Sequence, residues 1–331
     1  MIPAIAPYAN DLWPKLLRTA YRDVDTLLER LQLQDQQLLV DRSNHFPLRV
    51  PEPFVARMRC GDPTDPLLRQ VLPMLAEREV SPELCDDPLA EQAALATPGL
   101  LHKYQGRALV ISTGACAVHC RYCFRRHFPY ADNGPNQYQD LLDHVAKDPS
   151  IREVILSGGD PLALSDVALA ELVGHFAALP HVTRVRLHSR LPVVLPQRVN
   201  DSLVSLLTEL SVPVVMVIHA NHANELDAST ARAMAALKHP NITLLNQSVL
   251  LAGINNSTET LVALSEALFA QGVLPYYLHM TDAVQGTAEF IVTDAEAIAL
   301  YRTITAELPG YLLPKLVREV PGERAKSPIS V

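Results

Sequence analysis

At 331 residues, 48% hydrophobic and only 19% charged, the chain can bury a large core, as one long α/β domain or as a domain with an extension. Its formal charge of −8 excludes a broad nucleic-acid footprint, because neutralising phosphates needs clustered Lys and Arg. No apolar run is long enough to span a bilayer, and Met1-Ile2-Pro3-Ala4-Ile5-Ala6-Pro7 lacks the basic-then-apolar order of a signal peptide, so no membrane partner is expected and the cytoplasm is the default location.

Residues 1–100 read as a mostly helical and irregular extension. Apolar positions from Trp13 to Leu31 recur at helical spacing. Phe46 to Pro51 and Gly61 to Pro66 are extended or turning, since proline disfavours helix in the residue before it. Leu67 to Leu72 then reads as a helix, with Asp65 as N-cap and Pro66 in the first turn.

From residue 107 strands and helices alternate. Strands are expected near 107–113, 152–157, 182–188, 213–218, 242–249 and 273–280. Helices are expected near 136–147, 165–178, 200–209, 227–238, 259–270 and 294–308. Six β-then-α units imply a parallel sheet with right-handed crossovers, too few for a closed eight-stranded barrel and suited to an open, partial one. Such a sheet carries its site at the carboxyl ends of the strands. Polar residues mark that end of all six: a cysteine loop, Ser157-Gly158-Gly159-Asp160, His188-Ser189-Arg190, His219 to Glu225, Asn246-Gln247 and His279-Met280-Thr281-Asp282.

The cysteine loop holds three of the five cysteines, Cys116, Cys120 and Cys123, spaced C-x₃-C-x₂-C. Three thiolates so placed can ligate three corners of a cubane iron–sulfur cluster and leave the fourth iron open to bind something. A ferredoxin closes its cluster with a fourth Cys, and zinc sites use paired knuckles or Cys/His sets. A zinc loop or three structural thiols are the plainer alternatives. Cys60 and Cys85 are isolated and read as ordinary half-buried thiols.

This loop, following a first strand and with Tyr122 before its last cysteine, resembles that of the radical S-adenosylmethionine (SAM) superfamily, in which SAM chelates the open iron of a [4Fe-4S] cluster. Gly158-Gly159-Asp160, an ordinary turn taken alone, matches the superfamily stretch whose backbone approaches SAM. A more specific resemblance runs from about residue 45 to the end. Tyr104-Gln105-Gly106-Arg107, Arg125-Arg126 after the loop, Ser157 to Leu162, Ser189 to Arg198, Asn246 to Leu251 and Pro275-Tyr276-Tyr277-Leu278 are similar to the lysine 2,3-aminomutase family.

That resemblance implies a radical SAM partial (β/α)6 barrel over 101–310, preceded by the 1–100 extension and followed by a cofactor-binding tail at 311–331. It implies a third cofactor, pyridoxal 5′-phosphate (PLP), held by a lysine in a Pro-Gly-Gly-Gly-Gly-Lys tail. Here the tail is Pro321-Gly322-Glu323-Arg324-Ala325-Lys326, which puts Lys326 in the lysine's place with the glycine run broken. By the same resemblance Arg107 anchors the PLP phosphate and Tyr104 lies by its ring. Gly158, Gly159, Asp160 and Gln247 lie against SAM. Arg125 grips the substrate carboxylate, while Asp282 and Glu319 hold the ε-ammonium of lysine. On composition alone Arg125-Arg126 is as well explained as a solvated pair, and Lys326 as a solvated tail residue.

The implied reaction moves the α-amino group of L-lysine to Cβ, with SAM supplying a radical that removes the β-hydrogen, PLP carrying the migrating nitrogen, and an external electron donor reducing the cluster. Longer family members continue beyond the PLP lysine with a zinc-binding segment. This chain stops five residues after Lys326 and so resembles the short members, which make (R)-β-lysine for a ligase to attach to elongation factor P. A homodimer is left open. The rival readings are an aminomutase for another amino acid, a non-catalytic iron–sulfur sensor, and a radical SAM RNA methyltransferase. Two acids at 282 and 319 favour a cationic substrate, and the acidic charge disfavours RNA.

Overall fold

The computed structural model describes residues 8–133 and 138–330. Its centre is a ten-stranded sheet whose strands follow one another in space as they do in sequence. The strands are β1 (Leu95–Thr97), β2 (Leu100–Tyr104), β3 (Arg107–Thr113), β4 (Glu153–Gly158), β5 (Arg184–Ser189), β6 (Val214–Ile218), β7 (Ile242–Val249), β8 (Leu274–His279), β9 (Lys315–Arg318) and β10 (Ser327–Pro328). Pairing is parallel from β3 through β9, and antiparallel at β1–β2–β3 and at β9–β10. This is the open barrel of the radical SAM type, six βα units closed off by one more strand.

The local reasons are readable. Val154-Ile155-Leu156 and Val214 to Ile218 are continuous apolar runs, as strands covered on both faces must be. Five of the returning helices start on a side-chain cap. Ser165, Asn200, Asp227, Ser257 and Thr293 accept hydrogen bonds from backbone N–H groups at the starts of the helices Asp166–Ala177, Asp201–Thr208, Ala228–Leu237, Thr258–Ala270 and Asp294–Glu307. A cap of this kind is worth about 1 kcal/mol. All of these elements lie within two residues of the expected bounds. The first expected helix is present as Tyr138–Lys147, its expected start at 136 lying outside the described residues.

Four features differ from the expectation. The sheet has a seventh parallel strand, β9, and antiparallel additions at both edges. The apolar stretch from Trp13 forms two helices, Leu12–Arg18 and Val24–Arg30, because Tyr21 leaves the helix to pair with Val50 through N–H···O bonds of 2.8 and 3.1 Å. Residues 67–72 make a compact turn rather than a helix. Asp65 does cap it, accepting from the N–H groups of Leu67 and Leu68 at 2.8 and 3.0 Å, but Pro73 stops it from propagating. Cys60 and Cys85 are exposed, not half-buried.

Trp13, Leu27, Phe54 and Leu68 belong to the same buried core as the sheet residues Val110, Leu156 and Leu187. This first region also backs the cysteine loop directly. His119 N–H donates to the Arg49 carbonyl at 2.9 Å, and Arg121 N–H to the Gln70 carbonyl at 2.9 Å. Among the described residues, no helix is long and apolar enough to cross a membrane.

Candidate functional site

One cavity opens at the carboxyl ends of the parallel strands, and every one of the six expected strand ends reaches it. The loop after β3 brings Cys116, Cys120 and Cys123; β4 ends in Gly158, Gly159 and Asp160; β5 contributes His188 and Arg190. His219 after β6, Gln247 on β7, and His279 and Asp282 at the end of β8 complete the ring. Tyr104, Arg107, Arg125, Glu319 and Lys326 line the same space, so every residue to which the resemblance gives a role lies at one mouth. Arg126 does not: its guanidinium turns away to Glu77 and to the carbonyls of Arg121 and Gly286. His222 does not either, its ring accepting from the Asn224 N–H at 3.1 Å.

The tail reaches the cavity by a hairpin. Pro321 and Gly322 take the central positions of a turn closed by the Glu323 N–H on the Val320 carbonyl at 3.2 Å, with Gly322 at φ +83°. Proline presets the first of those positions and glycine alone tolerates the second cheaply. One glycine therefore suffices where the related tail has four. β10 then pairs with β9, Ser327 opposite Arg318, which returns Lys326 to the side of Glu319 with its Nζ 2.9 Å from Oε2.

All three loop cysteines are free thiols. Burial, and then the neighbouring thiols, push Cys116 well up and Cys123 to about 11. Bound iron removes that cost, because a ligating thiol is deprotonated outright. Among the described residues no three His, Cys, Asp or Glu side chains converge on a point where one metal ion would sit. The loop is pressed against β4: the Gly159 N–H donates to the Thr113 carbonyl at 2.6 Å and the Asp160 N–H to the Ala115 carbonyl at 2.9 Å. A Cβ on Gly158 would lie 2.6 Å from the Thr113 oxygen, and one on Gly159 would strike the Ala115 carbonyl. The glycines thus admit the cysteine loop itself.

The Asp160 carboxylate is spent inside the scaffold. It accepts from the Ser189 hydroxyl at 2.7 Å and from the N–H groups of Arg190, Leu162 and Leu191, and burial still lifts it to about 6.

Across the mouth runs a chain of alternating charge. Glu91 holds Arg125 through two bonds of 2.6 and 2.8 Å; Lys103 stands 3.4 Å from Glu91 and 2.9 Å from Glu319; Glu319 also holds Lys326. Burial works to raise Glu319, but Lys326 and Lys103 prevail and bring it to about 2. Asp282 has the opposite fate: burial and then the charge of Glu319 raise it to about 7. Arg107 stacks on the Tyr104 ring at 4.6 Å and forms no ion pair among the described residues, which leaves a cation open to an anionic ligand. Burial keeps His188, His219 and His279 neutral, and Nε2 of His188 and of His279 has no hydrogen-bond partner among the described residues. Gln247 Nε2 meets His219 Nε2 at 2.8 Å.

Glu91 and Lys103 escaped the sequence reading. Glu91 lies in an irregular segment, Lys103 on the short antiparallel strand β2, and neither carries a motif; only the fold brings them together.

An open parallel barrel whose first loop delivers three thiols to the mouth defines a radical SAM enzyme with a [4Fe-4S] cluster. Consistently, residues 105–186 match the family model for a 4Fe-4S single cluster domain. The chain is 48% identical over 324 residues to the L-lysine 2,3-aminomutase of Escherichia coli K12, covering 96% of this chain and 94% of that protein. It is 46% identical over 319 residues to the L-lysine 2,3-aminomutase of Haemophilus influenzae, covering 95% and 94%. Against the L-lysine 2,3-aminomutase of Clostridium subterminale it is 35% identical over 272 residues, 81% of this chain and 65% of that one. The chain belongs to the L-lysine 2,3-aminomutase family, and is an isomerase of the radical SAM class.

Proposed function

We propose that this enzyme converts L-lysine to (R)-β-lysine with PLP as its third cofactor, and that the product serves the modification of elongation factor P. The observation that carries the reading is Lys326, brought from the end of the chain to the cavity that Cys116, Cys120 and Cys123 border. PLP, when bound, supplies the carbon–nitrogen double bond through which an amino group can migrate.

The chain's own residues would divide the work as follows. Cys116, Cys120 and Cys123 ligate the cluster, and the main chain of Gly158 and Gly159, with Asp160 and Gln247 beside it, borders SAM. Arg107 takes the phosphate and Tyr104 flanks the ring. Arg125 keeps Nε and Nη2 on Glu91; its Nη1, 3.1 Å from the Ser157 hydroxyl, is the nitrogen not engaged with an acid and meets the substrate carboxylate. Asp282 and Glu319 hold the ε-ammonium. Glu319 now carries the ammonium of Lys326 on Oε2, and a Lys326 nitrogen turned toward the cofactor would leave that carboxylate oxygen free for the substrate.

The finer assignment to elongation factor P rests on the likeness to the short members of the family, with which the chain aligns nearly end to end. The test is anaerobic incubation of reconstituted protein with SAM, PLP, dithionite and L-lysine. β-Lysine detected by mass spectrometry, absent with Lys326→Ala, supports the reading, and no β-lysine from the parent protein refutes it. A mass gain on elongation factor P that requires both the product and a lysyl ligase tests the destination.

A further inference from the structure

Arg190 stands at the mouth beside the cysteine loop and is almost wholly buried. Its Nη1 points at Cys120 Sγ, 2.6 Å away, while Nη2 donates to the Gln70 side-chain oxygen at 2.7 Å and to Glu225 Oε2 at 3.1 Å. The guanidinium carbon lies 5.4 Å from the centre of the Phe54 ring and 5.5 Å from that of Tyr122, so the group is held between two aromatic rings. Its main chain is pinned as well, the Arg190 N–H donating to Asp160 at 2.8 Å. Glu225 is in turn locked by the N–H groups of Asn221 and His222 and by the Gln70 amide, at 2.8, 3.1 and 3.1 Å. Nothing in this assembly is free to turn away from the sulfur.

A buried cation anchored this firmly has a direct consequence for a cluster ligated by Cys120. Adding one electron increases the negative charge that the thiolate sulfurs share, so a charged N–H donor on one of them stabilises the reduced form more than the oxidised form. We propose that Arg190 is a positioning residue that raises the reduction potential of the cluster through its hydrogen bond to Cys120 Sγ, and that Glu225 moderates the effect by sharing the same guanidinium. The inference rests on reading Cys116, Cys120 and Cys123 as cluster ligands. In that reading the 2+ cluster takes one electron from an external one-electron donor and becomes 1+. Arg190 makes this first transfer easier and correspondingly lessens the driving force of the electron the cluster later gives up. The geometry therefore sets a compromise between charging the cluster and discharging it.

The decisive measurement is the midpoint potential of the 2+/1+ couple in anaerobically reconstituted protein, without SAM, followed by electron paramagnetic resonance during dithionite titration with mediators. Arg190→Met is expected to favour the oxidised cluster on the order of tenfold, a shift of about 59 mV to more negative potential for one electron. Glu225→Gln keeps the guanidinium and removes its counter-charge, and is expected to shift the midpoint in the positive direction. Opposite shifts are not what a strut whose removal merely loosens the loop would give. Should Arg190→Met fail to hold a cluster, Arg190→Lys and Glu225→Gln decide the matter: Arg190→Lys, keeping charge but losing the fork, gives a smaller negative shift. Variants that retain their iron yet leave the midpoint where the parent has it overturn the inference. A parent protein that binds no cluster at all overturns instead the reading of the three cysteines, so the two failures are distinguishable.

Discussion

Two places in the molecule are built on the same plan, one carboxylate between two cations, and they behave differently. At the back of the cysteine loop Glu77 holds Arg121, with Nε at 2.9 Å and a second bond from Nη2, and Arg126 at 2.5 Å. At the mouth Glu319 holds Lys103 and Lys326, each at 2.9 Å. The first set is sealed, its side chains 0–1% exposed, and its arginines are also tied to the carbonyls of Phe46, Arg121 and Gly286. The second lines the cavity at 15–21% exposure, and its lysines are single point charges on flexible stems. A third acid, Asp282, stands beside the second set with its proton finely balanced. Rigidity at the first centre positions the loop; slack at the second leaves room for a charge to be exchanged.

The sharpest way to break the comparison is to neutralise each centre. Glu77→Gln strands two buried guanidinium groups, and removing one partner of a buried pair typically costs about 3–5 kcal/mol. Urea unfolding is expected to show that loss as a lower midpoint at unchanged slope. A loss below about 1 kcal/mol would mean that the two centres are alike after all.

Glu319→Gln is expected to act on binding. Hydrogen bonds to a charged group contribute about 1.5–3 kcal/mol, which corresponds to roughly ten- to hundredfold weaker binding of lysine. Its effect on stability should be smaller than that of Glu77→Gln, because an ammonium on a long flexible stem can turn toward water. Calorimetric titration of PLP-loaded protein with lysine, alongside the unfolding curve, separates the two effects. Equal losses in both would sink the distinction.

How much of this was legible in the chain follows from where the information sits. Strands 107–113 and 242–249 were fixed to the residue by their apolar runs and the turn signals around them, and the mouth followed because polar residues cluster after each strand. β9 was missed since Lys315-Leu316-Val317-Arg318 is too short to show a period and becomes a strand only by pairing with β8. Glu91 and Lys103 could not be found because their importance is relational: an acid in an irregular segment and a lysine on a short antiparallel strand acquire a role when Arg125 and Glu319 arrive from 34 and 216 residues away. That Arg126 is buried rather than a solvated neighbour of Arg125 was hidden for the same reason, since its partner Glu77 lies 49 residues away in the irregular first region.

The smallest predicted effect is a pH dependence, and its sign follows from Asp282. Its carboxyl sits near pH 7 in the folded, ligand-free protein against 3.8 for the ordinary group, so the folded state binds that proton more tightly than the unfolded state does. The stability it contributes is therefore fully present below about pH 4 and is lost as pH rises through about 7. Binding of a cationic substrate runs the other way. The ε-ammonium stays charged to about pH 10.4, whereas Asp282 attracts it only when ionised. Glu319, ionised throughout at about 2, adds affinity but no slope. Lysine affinity should thus rise by up to about tenfold per unit below pH 7 and level off above it, with close to one proton released per lysine bound at pH 6 and almost none at pH 8. Calorimetry in buffers of different ionisation enthalpy reads that proton directly. Asp282→Asn should flatten the profile, and a slope that survives this substitution would assign the proton to another group and detach Asp282 from the ammonium.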